Sequence, residues 1–182
     1  MKSFQNKTKL LIVLSLVAGF SFQCEKKEED NSDLLALAAV GSLFSSAGDC
    51  NVSAPPRSSI NTWSSSITAN GTATVSKIGS VPVVGHQTAA LKITAKNGTN
   101  VAISGNTFVI VYQTSACPLA SSTRTGFTTT SLSDTTAEFT NSYTVSGSGS
   151  INFTVANDYY IFLYAIPSRG QAASVTYTVT GL

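Results

Sequence analysis

Few residues of this 182-residue chain have chemistry to offer. They are Cys24, Cys50 and Cys117, the lone His86, and beyond Cys50 only three acids, Asp134, Glu138 and Asp158. A metal centre wants such groups clustered. The three acids could build a calcium site only with help from backbone carbonyls, and no EF-hand spacing joins them, so solvated surface acids are the simpler reading. A Ser-His-Asp triad would have to use His86, which sits in the turn-like run Val84-Gly85-His86. No Gly-x-Ser-x-Gly elbow accompanies it. Paired carboxylates for glycoside hydrolysis would have to come from the same three acids. Neither a phosphate loop nor a dinucleotide fingerprint is present. The sequence therefore predicts no enzyme, no metal and no cofactor.

Aromatic residues offer one other chemistry. Trp63 with Tyr112, Tyr143, Tyr159, Tyr160, Tyr164 and Tyr177 could stack sugars, or could fill a core with the phenols reaching its rim. The core reading is preferred. Trp63, in a Ser/Thr-rich stretch, is the best candidate for an exposed ligand-binding aromatic. Nucleic acid is not expected as a partner, because the formal charge is only +2 and no basic stripe is present.

The elements that must position these residues read as β-strands. Charged residues are 11% of the chain, against roughly 25% in an average domain. Ser, Thr, Gly and Asn take their place, a mix that suits strands and turns. Period-two and continuous apolar runs predict strands at 59–68, 72–78, 88–96, 107–114, 136–146, 150–156, 158–166 and 173–180. Turns are predicted at Asn70-Gly71, Asn97-Gly98, Gly105-Asn106, Gly147-Ser-Gly149 and Pro167–Gly170. Ile151, Phe153 and Val155 share one face, as do Val175, Tyr177 and Val179. Phe108–Tyr112 and Tyr159–Ile166 are apolar on both faces and read as central strands. The last two strands read as a hairpin across Pro167–Gly170. The expected fold for 50–182 is all-β, a two-sheet antiparallel sandwich, immunoglobulin-like or jelly-roll.

The N-terminus has a different organisation. Lys2, Lys7 and Lys9 precede the apolar run Leu10–Phe20, which has the length of a signal-peptide core and is too short to span a bilayer. Residues 1–23 thus read as an export signal. The following Ser21-Phe22-Gln23-Cys24 resembles a lipobox, with Phe22 and Gln23 bulkier than in the common Leu-Ala-Gly-Cys form. A charged stretch over 25–33 and a Leu/Ala/Ser/Gly tract from Leu34 to Gly48 then follow. This order is similar to that of spirochaetal lipoproteins of the Leptospira type. The resemblance covers residues 1–50 and implies lipid on the Cys24 thiol, cleavage before it, and a tether over 24–49. About three acyl chains, palmitate among them, at about 0.8 kcal/mol per buried methylene would hold the protein to a membrane. The address so implied is the outer membrane, cell surface included, or the periplasmic side of the inner membrane. The tract 34–44 is either a short helix or a low-complexity spacer.

With Cys24 given to lipid, Cys50 and Cys117 remain. Two cysteines in an exported chain suggest one disulfide, the alternative being two free thiols. Closing such a loop is worth about 4 kcal/mol in the chain-entropy view. The functional expectation is a non-enzymatic lipoprotein that binds a host or envelope macromolecule through loops at one end of the sandwich or through a sheet edge. A structural envelope lipoprotein without ligand and a carbohydrate-binding module are the alternatives. The sequence leaves the oligomeric state open.

Overall fold

Eight consecutive apolar residues, Tyr159 to Ile166, set the architecture, because neither face of such a strand can be left to water. The computed structural model describes residues 48–81 and 84–182. The segment expected to be a signal peptide, the expected lipidation site Cys24 and the tract 34–44 lie outside them.

The strands are β1 (Cys50–Ala54), β2 (Arg57–Thr62), β3 (Ser64–Ile67), β4 (Gly71–Thr74), β5 (Gly79–Val81), β6 (His86–Ala95), β7 (Asn100–Gln113), β8 (Phe127–Asp134), β9 (Ser142–Phe153), β10 (Asn157–Ala165) and β11 (Thr176–Thr180). They form two sheets, the hairpin β1–β2 and a nine-stranded open sheet. The domain is an all-β sandwich. Pairing is antiparallel except where β3 runs parallel to β6.

In the large sheet β10 lies between β6 and β7. Its odd residues, Tyr159, Ile161, Leu163 and Ala165, enter one apolar cluster together with Leu91, Val109 and Phe153. Its even residues, Tyr160, Phe162 and Tyr164, enter a second with Val52, Ile60 and Leu119. The hairpin thus caps the second face of β10. Cys50 and Cys117 are joined, with their Cα atoms 5.4 Å apart. The segment after Cys117 runs beside β1, with Leu119 N–H donating to Asn51 O and Ser53 N–H to Leu119 O, each at 2.8 Å. From the sheet below, the Tyr112 phenol donates to Ser53 O at 2.7 Å. Burial pushes the Tyr112 phenol pKa up, so it remains a donor at every physiological pH.

Several expectations need correction. The single strand 59–68 is two strands in different sheets. The chain crosses over at Trp63, whose carbonyl accepts from Ala90 N–H. The predicted strand 72–78 ends at Thr74. The predicted turns at Gly105-Asn106 and Gly147-Ser-Gly149 are bends inside β7 and β9, which continue through them. Consequently the strands expected at 136–146 and 150–156 are merged into β9, which begins only at Ser142 and ends at Phe153, and 107–114 is only the second half of another. The last two strands are not a hairpin. β10 pairs with Phe108–Gln113 and β11 with Asn100–Ser104, so they occupy successive stretches of one edge of β7. Val155 lies past the end of β9 and is exposed, whereas Ile151 and Phe153 are buried. β1, β5 and β8 were not anticipated.

The bends have a clear cause. Gly105 and Gly147 are cross-strand partners, with φ of 138° and 84°. Both values lie in the region that a side chain resists. A Cβ on Gly105 would also meet Val175 Cγ1 at 2.7 Å, whereas one on Gly147 would meet nothing within 4 Å. Gly105→Ala is therefore expected to destabilise by about 1–3 kcal/mol from overpacking, on top of the backbone strain it shares with Gly147→Ala. Urea midpoints of the two variants check this. Equal losses would show that the contact with Val175 does not matter.

Candidate functional site

The most concentrated chemistry of the described residues lies around Tyr164, near the end of β10. Four connections bring side chains to it. Arg57 opens β2 just after Pro55-Pro56, a dipeptide that favours a turn. His86 opens β6 after a turn in which Gly85 N–H donates to Val81 O. Glu138 and Phe139 lie between β8 and β9, and that connection is tied to the β1–β2 turn by Thr140 N–H donating to Pro55 O at 2.8 Å. Arg169 ends the short 3-10 turn Pro167–Arg169 after β10.

The geometry holds Arg57 in place. Its guanidinium lies over the rings of Tyr164 and Phe139, at 4.9 and 5.2 Å from their centroids. It also donates to the Tyr164 phenol oxygen. The same oxygen is 2.6 Å from His86 Nδ1. Because Arg57 can only donate, the phenol hydrogen is free to go to Nδ1, which must then be unprotonated. Electrostatics agree: desolvation first, then the charges of Arg57 and Arg169, lower the His86 pKa below 6.5. Desolvation raises the Tyr164 pKa.

Of the three described arginines, Arg124 pairs with Asp134 and Arg169 with Glu138, while Arg57 pairs with no carboxylate among the described residues. It is half-buried and stacked, with guanidinium donors left over. Such an arginine is prepared to receive a planar acceptor, above all a carboxylate.

The residues singled out from sequence are dispersed. Asp134 is engaged by Arg124, Glu138 by Arg169, and Asp158 by the Thr94 hydroxyl. These bonds place the acids in three separate contacts rather than in a common cation site. For His86, the ring nitrogen that a triad aspartate would hold is given to Tyr164. Tyr112, Tyr159, Tyr160 and Tyr164 are buried and Tyr143 and Tyr177 half-buried, whereas Trp63 is 38% exposed. They supply core rather than a stacking platform. Trp63 follows β2 at the end opposite Arg57 and stands apart from the Tyr164 cluster. Arg57 itself was missed as a site residue. Its only local signal is the Pro-Pro turn before it.

A shallow depression of about 220 Å³ lies between residues 66–73 and Tyr177. Its lining, Ser66, Thr68, Asn70 and Thr72 among others, carries no acid, base or histidine. No helix among the described residues is long and apolar enough to cross a membrane.

No protein family matches this chain, and no curated protein does. A solved structure that is similar is PliG of Aeromonas hydrophila, a periplasmic lysozyme inhibitor of g-type lysozyme. It is 14% identical, with a TM-score of 0.35 over 74% of this chain and all of that one.

The His86 arrangement carries a pH signature. Its folded pKa lies below the unfolded value, so the unfolded chain takes up the proton first on acidification. Stability is therefore fully present above about pH 6.5 and falls as the pH drops from there towards the folded pKa. His86→Asn keeps an acceptor near Nδ1 and removes the titration. Urea denaturation between pH 7.5 and about 5 is expected to show a loss in the native chain and a flatter profile in the variant. Identical profiles would contradict the assigned hydrogen bond.

Proposed function

We propose that this chain is an exported lipoprotein, held to a membrane by lipid on Cys24, and that its β-domain is a non-enzymatic module that grips a macromolecule of the envelope or of a host. The observation that carries the binding part is Arg57, stacked on Phe139 and Tyr164 and without a carboxylate of its own among the described residues. Arginine is the residue type on which interfaces concentrate their energy, and stacking removes much of the entropy that binding would otherwise cost. Its place among four connections suits recognition, since connections at one end of a sandwich can vary without disturbing the sheets. The partner is expected to present a carboxylate to it.

The membrane part rests on the order of the N-terminal segments: basic start, short apolar run, cysteine, charged tether. Intact mass of membrane-extracted protein tests it. The expected product starts at Cys24, carries acyl chains, and is two protons lighter for the Cys50–Cys117 bond. An unlipidated Cys24 would remove the anchor and leave the domain reading untouched.

Binding is tested by probing outer-membrane extracts and purified host matrix proteins with the native protein and with Arg57 variants. A charge-assisted bond of about 1.5–3 kcal/mol predicts that Arg57→Ala weakens binding by about ten- to a hundredfold. Arg57→Lys is not expected to restore it, because an ammonium lacks the planar fork. No retained partner would favour a structural lipoprotein without a ligand, and a partner indifferent to both variants would place the binding surface away from Arg57.

A further inference from the structure

The outward face of the sheet formed by β4, β11, β7, β9 and β8 contains no ionisable side chain. Register fixes its rows. Thr74, Thr176, Ser104 and Ser148 lie side by side. Next come Thr72, Thr178, Ala102, Ser150 and Thr130. The third row is Thr180, Asn100, Asn152 and Thr128. Of these thirteen positions, twelve carry a hydroxyl or an amide and one is alanine. All are exposed or half-buried, so no described segment covers them. The opposite face of the same strands supplies Val101, Ile103, Ile151 and Val179 to the first apolar cluster. Cross-strand bonds order part of the array, with Thr72 and Thr178 hydroxyls 2.8 Å apart and Thr74 and Thr176 3.3 Å apart.

We propose that this face is a second binding surface and that its ligand is a neutral, hydroxyl-rich polymer, an uncharged polysaccharide. Charge complementarity excludes the other classes. Phosphate-bearing nucleic acid needs lysine or arginine. An anionic membrane needs basic residues beside apolar ones. A protein interface draws its energy from Trp, Tyr, Arg and Met, and none of these points outward here. What the face does offer is groups that both donate and accept, which is also what sugar hydroxyls offer. The ligand has to be polymeric because the surface is spread over five strands rather than gathered in one pocket, as a small-molecule site is. Strands lie about 4.8 Å apart, and same-face residues recur about every 6.8 Å along them. One sugar thus reaches only a few side chains, and affinity must come from many weak bonds summed along a chain. Trp63 takes no part in it.

Co-sedimentation of the full-length, detergent-solubilised protein with particulate cellulose, chitin and amylose resin tests this. Two variants of the middle row are compared. Thr178→Val with Thr130→Val and Ser150→Ala removes hydroxyls while keeping strand-compatible side chains. Thr178→Lys with Ser150→Lys adds charge. If melting curves show that the lysine variant is unfolded, the hydroxyl-deleted one still decides the matter. Retention on at least one polymer, lowered roughly tenfold or more in the folded variants and unchanged in Trp63→Ala and Arg57→Ala, is the supporting result. Retention on none of them overturns the proposal, as does retention indifferent to the middle row or lost with Trp63→Ala. A dimer in sedimentation velocity that the lysine variant abolishes would also overturn it, by making the face a contact between copies. Because Arg57→Ala reads the loop end separately, either proposal can fail without the other.

Discussion

The double-sided burial of β10 is the constraint on which the domain depends. Ile161, Phe162, Leu163 and Tyr164 are all inaccessible to water, although they alternate in direction. A fully buried side chain of this size contributes about 1.5–3 kcal/mol, so leaving one face wet would forfeit several such contributions. The sheet curving around the first apolar cluster covers one face. The other needs a separate layer, and the chain has only the short hairpin β1–β2 for it. A two-stranded hairpin is marginal on its own. The Cys50–Cys117 bond, the backbone bonds to Leu119 and the Tyr112 phenol compensate, the first two tying the hairpin to the segment 117–119 and the third to β7. The candidate site follows from this arrangement. Arg57 stands at the turn of the covering hairpin, and Tyr164 is the residue of β10 that the turn reaches.

Much of this was legible where local pattern and tertiary need coincide. The two-faced apolar runs in β7 and β10 marked central strands, and the even pair of cysteines left after Cys24 marked the disulfide. The pattern misled where glycine has two meanings. Gly105-Asn106 and Gly147-Ser-Gly149 carry the composition of turns, but here they let long strands bend in register. Only the facing of Gly105 on Gly147, a non-local fact, distinguishes bend from turn. β8 was missed because Thr128, Thr130 and Ser133 face outward and only Phe127 and Leu132 carry an apolar signal, with the bulge at Ser131 breaking their alternation. The site was harder still. Arg57, His86, Glu138 and Arg169 are separated by long stretches of chain, and none belongs to a recognisable spacing. Their cluster exists only because four connections end at Tyr164.

A sheet this poor in charge cannot protect its edges in the usual way, with lysines. It uses geometry instead. The edge strand β4 is four residues long, and β3 is equally short and runs parallel. β8 is the long exposed edge, and it is interrupted by the register shift at Ser131, whose φ is 58°. Arg124 then locks the end of β8. It binds Asp134, Thr136 and the Ser142 carbonyl and lies 4.6 Å over the Tyr143 ring. That interaction holds the Asp134 pKa well below the ordinary carboxylate range, chiefly through the Arg124 hydrogen bond, so the pair stays ionised at neutral pH.

Edge protection by geometry has a consequence for the faces. Once bulges and short strands guard against sheet-to-sheet addition, the outward side chains of β4, β11, β7, β9 and β8 need no charge for that purpose. They are left as a continuous field of hydroxyls and amides. The same economy gathers Arg57, His86, Glu138 and Arg169 around Tyr164, at strand starts and connections where long polar side chains can reach one another. The molecule thereby separates two kinds of surface that most small domains mix: a compact end with directional, charged donors and a broad face with neutral ones. The first can discriminate by a single geometry, since one stacked guanidinium accepts few shapes. The second can only add up weak, similar bonds, and so responds to the length of what lies on it. If both proposals hold, the β-domain grips a specific partner at one place and rests against an extended one at another, with neither surface drawing on residues that the other needs.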